Sequence, residues 1–110
     1  MQIKKTYKQV NPNLLYDEVR EFVLRQGLTM DQNKMETYSM PSDSSTFIFR
    51  GTLTFKVKGQ EALRAHMVGQ DRTETRLILD SVDELFPVEQ IKALEADLDF
   101  TLGAFGGPQG

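Results

Sequence analysis

At 110 residues with a formal net charge of −3, the chain has the size of one domain and no overall positive charge that would recommend nucleic acid as its partner. Hydrophobic residues make up 39% and charged residues 26%, enough for a core without covalent staples and unlike a disordered chain. Cysteine is absent, which removes thiolate catalysis and cysteine-held metals and leads us to expect a reducing, cytoplasmic compartment.

The start, Met1-Gln2-Ile3-Lys4-Lys5-Thr6-Tyr7, is basic but lacks the apolar run of a secretory signal. No stretch approaches the roughly 20 apolar residues that cross a bilayer. Ile3, Lys5 and Tyr7 alternate with Lys4, Thr6 and Lys8, the pattern of a short, half-exposed first strand. Asn11-Pro12 then opens a helix, because Asn accepts from free first-turn amides and Pro at the first helical position has no amide to waste. Leu15, Val19, Phe22, Val23 and Gln26 form its expected buried stripe, and Gly27 ends it in the left-handed conformation.

From 29 to 40 no helical stripe appears. Met30, Tyr38 and Met40 read as one face of an amphipathic strand at a sheet edge, followed by a polar loop at Pro41-Ser42-Asp43-Ser44-Ser45. The clearest strand comes next: Phe47, Phe49, Gly51, Leu53, Phe55 and Val57 point inward, and Ile48, Arg50, Thr52, Thr54, Lys56 and Lys58 outward. Gly51, on the inner face, is where we expect the sheet to curve strongly, the alternative being close approach of a helix to the backbone. Lys58-Gly59-Gln60 reads as a hairpin turn, and Leu63, Ala65 and Met67 as the inner face of the following strand, with Arg64 and His66 outward. Gly69-Gln70-Asp71-Arg72 turns again into a strand carrying Thr75, Leu77 and Leu79 on one side.

A C-terminal helix should start between Asp83, a good cap, and Pro87, bury Val88, Ile91, Leu94, Leu98 and Leu102, and stop near Gly103. The expected organisation is a single α+β domain over 1–105 and a flexible tail at 106–110. Its fold class is a curved antiparallel sheet in the order β-α-β-β-β-β-α, with both helices on one face.

That element order and the glycine within the strand at 47–57 resemble two fold groups. One is the helix-grip group, the START-like and birch-pollen-allergen-like proteins, whose curved sheet wraps a long C-terminal helix. The other is the half-repeat of the TATA-box-binding protein, whose helices cover one face of a saddle-shaped sheet. The resemblance spans nearly the whole chain and carries no family motif. It implies a small-ligand or lipid site between sheet and helix, although helix-grip proteins also include enzymes.

No residue set declares catalysis. The lone His66 lacks partners in sequence, and the glycines form no phosphate-binding loop or nucleophile elbow. Glu95, Asp97 and Asp99 on the C-terminal helix read as a solvated face, and Asp80, Asp83 and Glu84 as acids near a helix start. We therefore expect a non-catalytic module with no cofactor and no metal. Its ligand-binding residues, if an apolar ligand is bound, are Phe47, Phe49, Phe55, Met67, Leu94 and Leu98. An anion- or partner-contacting surface is expected on the outer sheet face at Arg50, Arg64, His66 and Arg76, opposite an acidic C-terminal helix. The inward direction of the phenylalanines leaves that face without stacking platforms, which counts against single-stranded nucleic acid. A protein partner or a second copy, pairing through the strand at 29 to 40, is the further expectation.

Overall fold

The structure is a computed structural model. It describes residues 1–40, 43–70 and 74–106, with side chains at all of these but 39–40, 43–47, 70 and 103–106. The elements are β1 (Gln2–Lys8), α1 (Pro12–Arg25), β2 (Thr29–Met40), β3 (Asp43–Val57), β4 (Gln60–Gln70), β5 (Glu74–Ser81) and α2 (Val88–Gly106). The five strands form one open antiparallel sheet in the order β1-β5-β4-β3-β2. Strands β2 to β5 run as a meander, and β1 returns to the far side of β5, so β1 and β2 are the two edges.

Both helices lie on one face. Period-2 alternation sends Phe49, Leu53, Phe55, Leu63, Ala65, Met67, Leu77 and Leu79 to that side, and all are buried. They meet Leu15, Tyr16, Val19, Phe22 and Val23 of α1 and Ile91, Leu94, Leu98 and Leu102 of α2 in one core, joined by Tyr7, Val10 and Phe86. The α+β class, element order and placement of the helices agree with the sequence reading.

α1 starts as expected: the Asn11 side chain accepts from the Asn13 amide at 2.8 Å, and Pro12 begins the helix. Gln26, assigned to the buried stripe, is instead the exposed C-cap, and Tyr16 takes a place in the core. Gly51 has the close-approach role. A Cβ there would lie 2.9 Å from Cδ2 of Tyr16 and 3.0 Å from Cε1 of Phe49, so only glycine leaves room for the two rings.

Several boundaries move. Asp43, Ser44 and Ser45, expected in a loop, belong to β3, because pairing with β2 continues to Met40–Asp43; the loop residues Pro41 and Ser42 lie outside the described residues. The β3–β4 turn is Lys58-Gly59 alone, with positive φ of 51° and 81°, the two-residue hairpin whose twist matches its strands; Gln60 already pairs with Val57. Gly69 and Gln70 extend β4 rather than turning. Thr75 sits directly across from Gly69, and its Oγ1 would be 2.6 Å from a Cβ at residue 69, so the glycine serves pairing; Asp71 and Arg72 lie outside the described residues.

α2 begins at Val88, which is exposed, and runs through Gly103 to Gly106. Asp83 does not cap it: a turn at Val82–Phe86 intervenes, and the first α2 amide bonds, from Gln90 and Ile91, go to the Pro87 carbonyl. Gly106, expected in the flexible tail, belongs to α2, and 107–110 lie outside the described residues. No described helix is long and apolar enough to cross a membrane.

Candidate functional site

The structure separates the two expected site groups. Phe49, Phe55, Met67, Leu94 and Leu98 are 0–3% exposed and belong to the core cluster shared by sheet and helices. The Phe47 side chain lies outside the described residues. Arg50, Arg64, His66 and Arg76 do share the outer sheet face, where registers place Thr52 beside His66 and Val68 between Arg50 and Arg76. His66 is half-buried, its Nδ1 2.9 Å from Thr52 Oγ1, a hydrogen-bonded strand histidine.

That outer face is less basic than its sequence suggests, because acids come with the cations. Arg64 pairs with Glu61 at 3.1 Å, Arg76 with Glu74 at 3.7 Å and Lys56 with Asp31 at 3.4 Å. The acids of α2, expected to be a solvated face, are also engaged. Lys5, on the inner face of β1, reaches Asp99 at 2.9 Å and Glu95 at 3.7 Å, tying the sheet edge to α2. Beside this cluster the Tyr7 hydroxyl is buried without a hydrogen-bond partner among the described residues, and burial followed by the charges of Asp99 and Glu95 raises its pKa.

A second acid contact joins the helices. Glu18 of α1 faces Asp97 of α2, with the Arg25 guanidinium 3.7 Å from Glu18 and 4.0 Å from Asp97. The hydrogen bond to Asp97, then burial, then the Asp97 charge push Glu18 up to about 7, with Arg25 opposing. Like charges brought together at a helix contact favour the protonated form of the Glu18 carboxyl. Among the described residues no cluster of three His, Asp or Glu groups could hold a metal ion.

Exposed apolar side chains occur elsewhere, as at Phe100 of α2, Leu14 and Leu24 of α1, and at the β2 edge. β2 has 12 residues and only β3 as a neighbour. A register shift between Met30 and Gln32 reverses the alternation: Met30 pairs with Phe55 on the inner face, whereas Tyr38 pairs with Ile48 on the outer face. The expectation that Met30, Tyr38 and Met40 share a face therefore fails at the bulge, and the Met40 side chain lies outside the described residues. Tyr38 is also an exposed aromatic on the face expected to lack one. Its hydroxyl donates to Glu36, which lowers the Glu36 pKa together with the bond from Lys34, and raises that of Tyr38.

On the inner side of β2 stand Asn33, Met35 and Thr37, all exposed, beyond the part of the strand at Met30 that packs against the core; Met35 keeps 48% of its surface in solvent. Sequence reading missed Met35. The signal was present as alternation through 32–38, but its phase was set by Met30, on the other side of the bulge.

No family model, curated protein or solved structure matches the chain.

Proposed function

We propose that this chain is a non-catalytic protein-interaction module that takes up an extended segment along β2. The observation that carries this is an edge strand of 12 residues whose inner-face side chains Asn33, Met35 and Thr37 are left uncovered. Backbone groups of an edge strand that do not bond its single neighbour are free to pair with another strand, and alternate side chains then add selectivity. Met35 and Tyr38, 48% and 46% exposed, supply apolar contact on opposite sides of the same edge. The other edge is less suited: β1 carries Lys4, Lys5 and Lys8, the lysine-rich composition that discourages strand addition.

Two other readings have less support. Of the side chains nominated for an apolar ligand, Phe49, Phe55, Met67, Leu94 and Leu98 belong to the buried core cluster shared by sheet and helices. Anion or nucleic-acid binding on the outer face competes with Glu61, Glu74 and Asp31 for its cations, and the aromatic there has its hydroxyl on Glu36.

Panning a randomised library of extended octapeptides against the protein, followed by amide NMR of the selected binders, tests the reading. Shifts should concentrate on β2 and the adjoining part of β3. Binders that perturb the helices or the β1 edge instead, or a library that yields none, would overturn it.

A further inference from the structure

We propose that the strand β2 accepts is β2 of a second copy, docked about a two-fold axis normal to the sheet and passing through Met35. This rests on reading β2 as the docking edge, and it adds partner and register. A two-fold in that direction makes the two strands antiparallel and keeps each face continuous, so inner side chains meet inner ones and outer meet outer.

The charges select the register. On the outer face Lys34 and Glu36 flank Met35, and within one chain Lys34 Nζ stands 3.3 Å from Glu36 Oε1, with the Lys34 side chain 74% exposed. Rotation about Met35 sets Lys34 of each copy opposite Glu36 of the other. Four charges of alternating sign then lie side by side where each chain alone has one exposed pair. On the same face Gln32 comes opposite Tyr38, and on the inner face Asn33 comes opposite Thr37.

Neighbouring symmetric registers are worse. A two-fold through Lys34 sets lysine against lysine, and one through Glu36 sets glutamate against glutamate, like charges directly opposed on paired strands. Met35 itself meets Met35 on the axis, covering the large apolar side chain that the helices leave in solvent. β1 has no such solution: none of its residues is acidic, so no register can answer Lys4 and Lys8, while Lys5 is held by Asp99 and Glu95 of α2. The outcome is one closed dimer with a ten-stranded sheet, its outer strands the two lysine-bearing β1 edges.

Sedimentation across a concentration series, with charge variants and a single cysteine, decides the matter. The protein should show a monomer–dimer equilibrium that weakens with salt. Lys34→Glu and Glu36→Lys should each weaken it by about tenfold or more, since each replaces two opposed attractive pairs by two repulsive ones. The double exchange Lys34→Glu with Glu36→Lys restores opposite charges and should recover most of the affinity.

Because the chain has no cysteine, Met35→Cys is a clean reporter. Directly opposed strand residues have Cα atoms about 4.5–5.5 Å apart, within disulfide range, so mild oxidation should crosslink it. Lys4→Cys, on the other edge, should stay uncrosslinked. A monomer at every concentration, a dimer indifferent to the charge exchanges, crosslinking through Lys4→Cys or an open ladder of oligomers would each overturn the proposal. If the chain stays monomeric while selected octapeptides still bind β2, the second copy is wrong and the strand-accepting edge survives. If neither binds, both fall.

Discussion

Gly51 and Glu18 show how single residues decide this structure. At Gly51 the limit is space: any Cβ would press on the rings of Tyr16 and Phe49, themselves packed edge to face with centroids 6.1 Å apart. Gly51→Ala should therefore destabilise the fold by about 1–3 kcal/mol, the usual range for overpacking a core, read as a lower urea midpoint at unchanged slope. At Glu18 the limit is charge. Its pKa, about 7 in the folded state, exceeds the ordinary carboxyl value of 4.5, so the folded chain holds more protons than the unfolded chain between those two values. Stability from this group is present below about pH 4.5 and is lost as pH rises through 7. The charged groups facing Glu18 are Asp97 across the helix contact and Arg25 and Glu21 on its own helix. Glu18→Gln keeps a donor toward Asp97 and cannot ionise. It should be more stable than the parent at pH 8, and thermal melts from pH 5 to 8 should show a flatter profile; an unchanged profile would remove Glu18 as the titrating group.

Among the elements, α1 was legible almost to the residue. Its start depends on Asn11-Pro12 and its buried face on 3.6-residue spacing, both local properties of the chain. The hairpin at Lys58-Gly59 was legible for the same reason, since the backbone requirement lies in the turn residues themselves. Other boundaries depended on partners. Asp43 to Ser45 look like turn formers, yet they are strand because β2 is long enough to pair with them. The acids of α2 look solvated in sequence, but Lys5 arrives from a strand about ninety residues away to bind Asp99 and Glu95. No local pattern encodes such a contact. The β2 edge was legible as an edge strand, but the side-chain phase was not: one register shift changes which side every later residue faces.

The whole molecule has one core bounded by five strands and two helices, with β1 placed beside β5 at the end of the chain's path through the sheet. A core shared in this way should unfold as a unit. Tyr7 and Tyr16 are buried in it and the chain has no tryptophan, so with the exposed Tyr38 replaced by Phe the tyrosine fluorescence reports the interior. Leu98→Ala, at a fully buried α2 position, should cost about 2–5 kcal/mol through lost burial and the cavity left behind. Tyrosine fluorescence and far-ultraviolet circular dichroism should then still give coincident melts, and separated transitions would show helix and sheet failing independently.

By itself the sequence determined the order of elements, the class of the fold and the inner faces of β3, β4 and β5, because alternation, helical spacing and capping act over a few residues. Phe49, Phe55, Met67, Leu94 and Leu98, expected from the sequence to line a ligand pocket if one is bound, lie in the buried core cluster. Only the tertiary structure decided that Arg64, Arg76 and Lys56 have acidic partners, that Glu18 lies against Asp97 with its pKa raised, and that Met35 is left exposed. Those outcomes depend on distances between segments remote in sequence and on how far two helices can reach across five strands, and neither is written in any local pattern.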